Sequence, residues 1–286
     1  MRIKSIAFLI FLTIVCESPV LSQNKYNLVQ FRDETVDFIK QPAKWDGNDW
    51  LKLGLISAGT FLVMQADQPI RDALMKDQRY DKSFPVEFGK LWGETYSTAI
   101  VAGAFGLHGI LTDDKTTKKV GFEIIQAALY SGGITSVLKF AFGRARPYMN
   151  KGSAEYQPFT LLDDGFHSFP SGHSTLAFAL STVLSRNAQS SALKVLAYLP
   201  AALTMFSRVY QDYHWTSDCL FSAVVGFVVA TWVVDLHDQK ESLVQVSSVY
   251  PLTIRININC AWLNTRSLVK SGTKRLKRNP PLHAIR

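Results

Sequence analysis

The sequence predicts an all-α protein built on a six-helix core. Six apolar stretches of helix length follow one another at roughly 51–65, 96–111, 120–141, 172–186, 191–210 and 215–236. No Gly/Ser- or Pro-rich linker and no internal repeat interrupts them, so the 286 residues read as one domain. An apolar content of 47% and a mean hydropathy of +0.06 are ordinary for a globular protein and low for a chain made mostly of membrane spans.

Residues 1–22 have the form of a secretory signal. Arg2 and Lys4 charge its start, Ile6–Val15 is its apolar centre, and Val20-Leu21-Ser22 offers a cleavage site before Gln23. An uncleaved anchor is the alternative; Val15 is too large for a lipidated Cys16. Both readings export the chain, and the expected location is the periplasmic side, membrane-associated or integral, with a soluble periplasmic protein as the alternative. In the following segment, 23–50, residues 24–44 are amphipathic, with Leu28, Phe31, Val36, Phe38 and Ile39 among Arg32, Asp33, Glu34 and Asp37. This predicts a helix lying on the body or on a membrane surface.

The core is expected over 51–238. Its first stretch is only about 14 residues long and carries Lys52, short of the roughly 20 needed to span a bilayer. Residues 66–90, rich in paired charges (Asp67, Arg71, Asp72, Lys76), read as a solvated connection. Gly103, Ala104, Gly106, Gly132 and Gly133 suit close helix packing. If residue 23 is outside and all six stretches cross, Lys139–Arg146 lies inside the cell. If the first does not cross, Lys139, His173 and Arg208 fall outside, while Lys115, Lys118, Lys119, Arg186 and Lys194 fall inside, as positive charge prefers. A bundle that crosses nothing is the remaining solution.

Residues 239–286 form the C-terminal extension. Alternation over 243–258 allows a short strand. The net charge of +8 arises wholly from 251–286, which holds eight Lys/Arg and no Asp/Glu, and this basic tail reads as poorly structured. Nucleic acid is not an expected partner. Three cysteines make no disulfide framework, and no Cys/His spacing suggests zinc or another metal.

Three polar clusters carry the chemistry. Lys139 and Arg146 are seven apart and share a face if the helix persists; Pro147 marks its end, and Arg144 between them points elsewhere. Pro170-Ser171-Gly172-His173 precedes an apolar helical run: Ser171 caps it, Gly172 permits close approach, and the free N–H groups offer an anion site beside His173. His167 nearby has no assigned role. In Ser207-Arg208-x5-His214-x3-Asp218, Arg208 supplies a planar fork for phosphate oxygens. His214 and Asp218 are helical neighbours, so the carboxylate can fix the imidazole tautomer.

Together, Lys139-x6-Arg146-Pro147, Pro170-Ser171-Gly172-His173 and Ser207-Arg208-x5-His214-x3-Asp218 resemble the signature of the type 2 phosphatidic acid phosphatase superfamily, which includes bacterial acid phosphatases and vanadium-dependent haloperoxidases. The resemblance covers about residues 50–236. It implies the helical core of that superfamily and a phosphatase without metal or cofactor. His214 would attack phosphorus, Asp218 would orient it, and His173 would protonate the leaving oxygen. Lys139, Arg146, Arg208, Ser171 and Gly172 would hold the phosphoryl oxygens. Vanadate is then expected as an inhibitor. The alternatives are a vanadium haloperoxidase and a soluble non-specific acid phosphatase.

Substrate choice is expected to lie in Tyr148–Ser168. Tyr148, Met149, Tyr156, Phe159, Leu161, Leu162 and Phe166 make this connection apolar and favour a lipid or isoprenoid phosphate or diphosphate over a sugar phosphate. Such a substrate makes membrane association the natural partner arrangement; the sequence does not fix an oligomeric state.

Overall fold

A computed structural model describes residues 24–249, with side chains to Glu241. The expected signal segment 1–22 and the basic tail beyond 249 lie outside the described residues. The chain divides after Leu243; of the second unit only the helical residues 244–249 are described.

The described residues form an all-α bundle with no β-sheet. Helix α1 (Leu28–Ile39) starts at Asn27, whose side chain accepts the Gln30 N–H, and α2 (Gly47–Met64) starts at a reciprocal Asp46/Asp49 cap. Helices α3 (Asp67–Leu74) and α4 (Phe84–Trp92) follow, then α5 (Thr95–Leu111) and the long α6 (Lys115–Phe142). Gly143, left-handed at φ 56°, ends α6 by returning its N–H to the Lys139 carbonyl. Helices α7 (Gly172–Asn187), α8 (Ser191–Leu196), α9 (Leu199–Tyr210) and α10 (Thr216–Val249) complete the order. Pro200 sits in the first turn of α9, where its missing N–H costs no hydrogen bond.

Three sequence expectations change. The supposed solvated connection 66–90 contains α3 and α4, and Asp67 is buried. The alternation at 244–249 belongs to α10 instead of a strand; 250–258 lies outside the described residues. Of the small residues, Gly103, Gly132 and Gly133 face open space, whereas Gly106 does meet Gly121, closely enough that a side chain at 121 would strike its backbone.

The apolar core joins α5, α6, α7 and α10 through Ala102, Val120, Ile124, Leu180, Val183, Val233 and Val234. Helix α1 does not stand apart: Phe31 and Phe38 pack on Phe122, Tyr130 and Trp232. Asn24 reaches the His237 carbonyl, and Lys25 lies beside Lys115 and Lys118 at the start of α6. Asp67, just after α2, meets Arg144 beyond the end of α6. Helices α1 and α2 therefore carry the chain from one end of α6 to the other. Helix α2, about 27 Å long at 1.5 Å per residue, carries the first apolar stretch along that traverse.

Three segments are long and apolar enough to cross a membrane: Lys115–Phe142, Ser191–Tyr210 and Thr216–Glu241. Large apolar side chains also cover the outside, among them Leu55, Leu62, Ile100, Leu107, Leu129 and Val195. An apolar exterior of this extent is what a lipid surface would cover.

Close helix contact gives a stability test. A Cβ at Gly89 would lie 2.2 Å from the Leu203 carbonyl oxygen, whereas one at Gly103 meets nothing within 4 Å. Gly89→Ala should cost about 1–3 kcal/mol through overpacking, read as a lower thermal midpoint in detergent. Gly103→Ala should leave the midpoint unchanged or raise it; equal effects would contradict the packing described.

Candidate active site

Each cluster is delivered by a helix end. Lys139 occupies the last turn of α6, and its ammonium donates to the His167 carbonyl. A Cβ at Gly172 would lie 4.0 Å from Lys139 Cε, so the lysine runs past the start of α7. Arg146 is not on that helix, because α6 ends at Phe142. The two cations are brought together by the turn that follows, not by a shared helical face. Arg146 Nε donates to the Asp164 carbonyl at 2.9 Å and Nη2 to Asp164 Oδ1 at 2.7 Å.

Ser171 caps α7 as expected, its Oγ accepting the Ser174 N–H at 3.4 Å. Gly172 and His173 open that helix with their N–H groups in the first turn. His173 Nε2 lies 3.2 Å from Glu94 Oε1. Arg208 ends α9, buried, with Nη2 on Ser207 Oγ at 3.1 Å and on Gln211 Oε1. Its Nε has no hydrogen-bond partner among the described residues. A donor buried beside other cations and left unpaired is suited to an anion. The guanidinium groups of Arg146 and Arg208 both lie over the Tyr213 ring, 5.9 and 5.3 Å from its centre.

The third cluster differs from its sequence reading. His214 precedes α10 and is not on a helix with Asp218. Its Nδ1 lies 2.7 Å from the Ser168 carbonyl and 3.9 Å from Asp218 Oδ2. A carbonyl only accepts, so Nδ1 carries the proton and Nε2 keeps its lone pair. The backbone of Ser168, rather than the carboxylate, sets the tautomer. Asp218 acts one step removed: Oδ2 accepts Ser168 Oγ at 2.5 Å and the Trp215 N–H at 2.9 Å. It thereby pins both the Ser168 segment and the start of α10.

Asp218 is held in turn by Arg144, a residue the sequence placed apart from the site. Arg144 Nη1 donates to Asp218 Oδ1 at 2.6 Å and to Ser217 Oγ at 2.9 Å; Nη2 donates to Asp67 Oδ2 at 2.9 Å. Asp67 also accepts the Ser217 N–H at 2.9 Å. Arg144, Asp67 and Asp218 are at most 1% exposed. Arg144 does point away from the phosphate cluster, as its position implied, but toward the carboxylate behind His214. Asp67, Glu94 and Ser168 carried no signal in the sequence, since the side chains they meet are 46–150 residues away.

The electrostatics separate the two imidazoles. Burial above all holds His214 well below its ordinary protonation range; Asp218 opposes this from 3.9 Å, while Lys139 and Arg146 reinforce it. His214 is therefore a neutral base at neutral pH. Burial and then Arg208 also lower His173, and Glu94 pulls the other way. The arrangement offers a free imidazole lone pair facing cations, with a second imidazole paired to a carboxylate. Among the described residues no group of His, Cys, Asp and Glu is arranged to hold a metal ion.

Residues 121–242 match the sequence profile of the PAP2 superfamily, a range that includes all three clusters. The chain is 36% identical over 110 residues to a lipid A 1-phosphatase of Porphyromonas gingivalis, covering 37% of this chain and 22% of that protein. It is 24% identical over 136 residues to an undecaprenyl-diphosphatase of Sulfolobus acidocaldarius, covering 45% and 58%. The chain thus spans less than two thirds of either relative. The fold resembles a transmembrane PAP2-type phosphatidylglycerolphosphate phosphatase from Bacillus subtilis, with a TM-score of 0.51 at 21% identity over 66% of this chain and 94% of that one.

Removing the guanidinium behind His214 would leave two buried carboxylates facing each other. Arg144→Ala should therefore cost about 3–5 kcal/mol, seen as a large fall in thermal midpoint. Arg79→Ala, which removes an exposed pair with Asp77, should change little. Similar midpoints for the two variants would contradict the network.

Proposed function

Because residues 121–242 make this chain a member of the PAP2 superfamily, we propose that it is a phosphatase acting on a lipid or isoprenoid phosphate or diphosphate through a phosphohistidine intermediate. The observation that carries this reading is the state of His214: Nδ1 is committed to the Ser168 carbonyl, Nε2 is free, and the ring is buried among cations. In the first step Nε2 of His214 attacks phosphorus. A P–N bond forms, the P–O bond to the leaving group breaks, and the leaving oxygen takes a proton from His173. In the second step water attacks phosphorus, gives its proton to His173, and the P–N bond breaks. Lys139, Arg146 and Arg208, with Ser171 and the Gly172 N–H, hold the non-bridging oxygens as charge develops on them. Asp218 and Arg144 keep Ser168 and His214 in register, and no step calls for a metal.

A lipid substrate is supported by the rim of the site. Tyr148, Phe159, Leu161 and Leu162 are exposed on the connection that leads from Arg146 to His173, with Leu162 fully exposed. The relatives named for lipid A and undecaprenyl diphosphate point the same way. Lys115, Lys118, Arg186 and Lys194 lie at the helix ends remote from Lys139, His173 and Arg208, so positive charge marks the inner side and the site faces outward. Asn24, at the start of α6, is then on the inner side.

Purified protein should release phosphate from an alkyl phosphate in the presence of EDTA, vanadate should inhibit it, and His214→Ala should abolish turnover. Activity surviving in His214→Ala would sink the reading. The pH profile follows from the two imidazoles. His214, already neutral, imposes no acid limb near neutrality, whereas His173 must be protonated to act as an acid and its lowered range brings that loss to lower pH. The optimum should lie on the acid side of neutrality for an alkyl phosphate; an alkaline optimum would contradict the assignment. Orientation is testable in intact cells. A cysteine at Leu162 should react with a membrane-impermeant maleimide and one at Lys25 should not; the reverse pattern would overturn the outward-facing site.

A further inference from the structure

Glu94 lies outside all three clusters, at the junction between α4 and α5, yet its carboxylate reaches the second imidazole. Glu94 Oε1 is 3.2 Å from His173 Nε2, an ion-pair contact without hydrogen-bond alignment, and the two side chains are 28% and 30% exposed. The approach is built into the backbone. A Cβ at Gly93 would lie 2.8 Å from His173 Cβ and 2.6 Å from Thr204 Cγ2, so a glycine lets this junction press against the start of α7. The junction is also pinned: the Glu94 N–H donates to the Leu91 carbonyl, and the Glu94 carbonyl accepts from Ser97 and Thr98. The other charges acting on His173 are Arg208 on α9 and Arg146 in the turn after α6, both repelling an added proton. Glu94 alone among these favours it.

We propose that Glu94 is a positioning residue that holds His173 as a proton donor between two arginines, and so sets which leaving groups the enzyme can expel. This rests on the phosphatase reading above. With Nε2 facing Glu94, Nδ1 is the nitrogen that gives its proton to the leaving oxygen as the P–O bond breaks and the bond from phosphorus to His214 Nε2 forms. In the second step the same nitrogen takes the proton of the attacking water. The demand is largest for an alkoxide leaving group, whose conjugate acid is weak, and small for a nitrophenolate, which departs without protonation.

The test compares wild type, Glu94→Gln and Glu94→Asp on a monoalkyl phosphate and on p-nitrophenyl phosphate. Glu94→Gln should lower kcat on the alkyl ester about tenfold or more and shift its alkaline limb about one pH unit toward acid. Turnover of the nitrophenyl ester should fall less than about threefold, because it needs little of the general-acid contribution. Glu94→Asp should recover part of the alkyl activity. Equal losses on both esters, or an unmoved alkaline limb, would overturn the proposal and mark Glu94 as merely structural. A wild-type protein inactive on both esters would instead count against the phosphatase reading. In that case Glu94 is judged by diethyl pyrocarbonate, which modifies only neutral imidazole. Mass spectrometry should find half-modification of His173 at lower pH in Glu94→Gln, and an unchanged pH would refute its role independently of turnover.

Discussion

The site depends on one buried guanidinium. Arg144 faces Asp67 on one side and Asp218 on the other, and neither carboxylate is open to water. Two such anions would repel strongly in a medium of low dielectric. With Arg144 between them they become a fixed joint connecting the start of α3, the turn after α6 and the start of α10. Ser217 closes the joint by bonding to both Asp67 and Arg144. The remaining Asp218 oxygen is thereby free to hold Ser168, and Ser168 to hold His214. The state of the candidate nucleophile is thus set through a chain of charge-assisted contacts, with its imidazole last in line.

Much of this was legible in the residues. The six apolar stretches are helical, although the fifth is divided into α8 and α9, and Ser171 caps α7 because a serine before a glycine and an apolar run can do little else locally. Lys139 and Arg146 lie close enough to act on His214, and Arg208 and Arg146 close enough to act on His173. The misread parts share a cause: they depend on contacts that sequence spacing does not encode. The four-residue spacing from His214 to Asp218 suggests a helical pair, but α10 begins only at Thr216, so the imidazole meets a main-chain carbonyl instead. A carbonyl belongs to every residue and leaves no mark in a sequence. The charged run 66–90 read as solvated because each charge was judged against its neighbours, whereas Asp67 is matched with Arg144, 77 positions away.

A second polar cluster lies in the half of the bundle remote from the site. The two nitrogens of His237 approach Glu123 Oε1 and Glu34 Oε2, each at 3.1 Å, and all three side chains are buried. Lys240 and Gln126 satisfy Glu34 at 2.6 and 2.8 Å, and Asn187 satisfies Glu123 at 2.7 Å. Breaking such a set is far more costly than never having built it. It fixes α1 to α6 and α10 where aromatic packing alone would permit sliding, and it supplies specificity of docking at a point where the exterior is apolar and unselective.

Helix α6 carries both arrangements. Glu123 lies near its beginning, Lys139 in its last turn, and Arg144 just beyond it. A one-turn axial shift of α6 against α10 would move every one of these groups about 5.4 Å from its partner, breaking two sets of buried charges at once. The rod is clamped at both ends, so shear between helices would cost both sets of buried charges. Whatever opens must be short and unclamped. The rim segment is itself held at its middle, by the Phe159 N–H on the Phe140 carbonyl and by the Thr160 carbonyl against His167 Nε2, which leaves the exposed Leu161 and Leu162 as a short arm on a rigid frame.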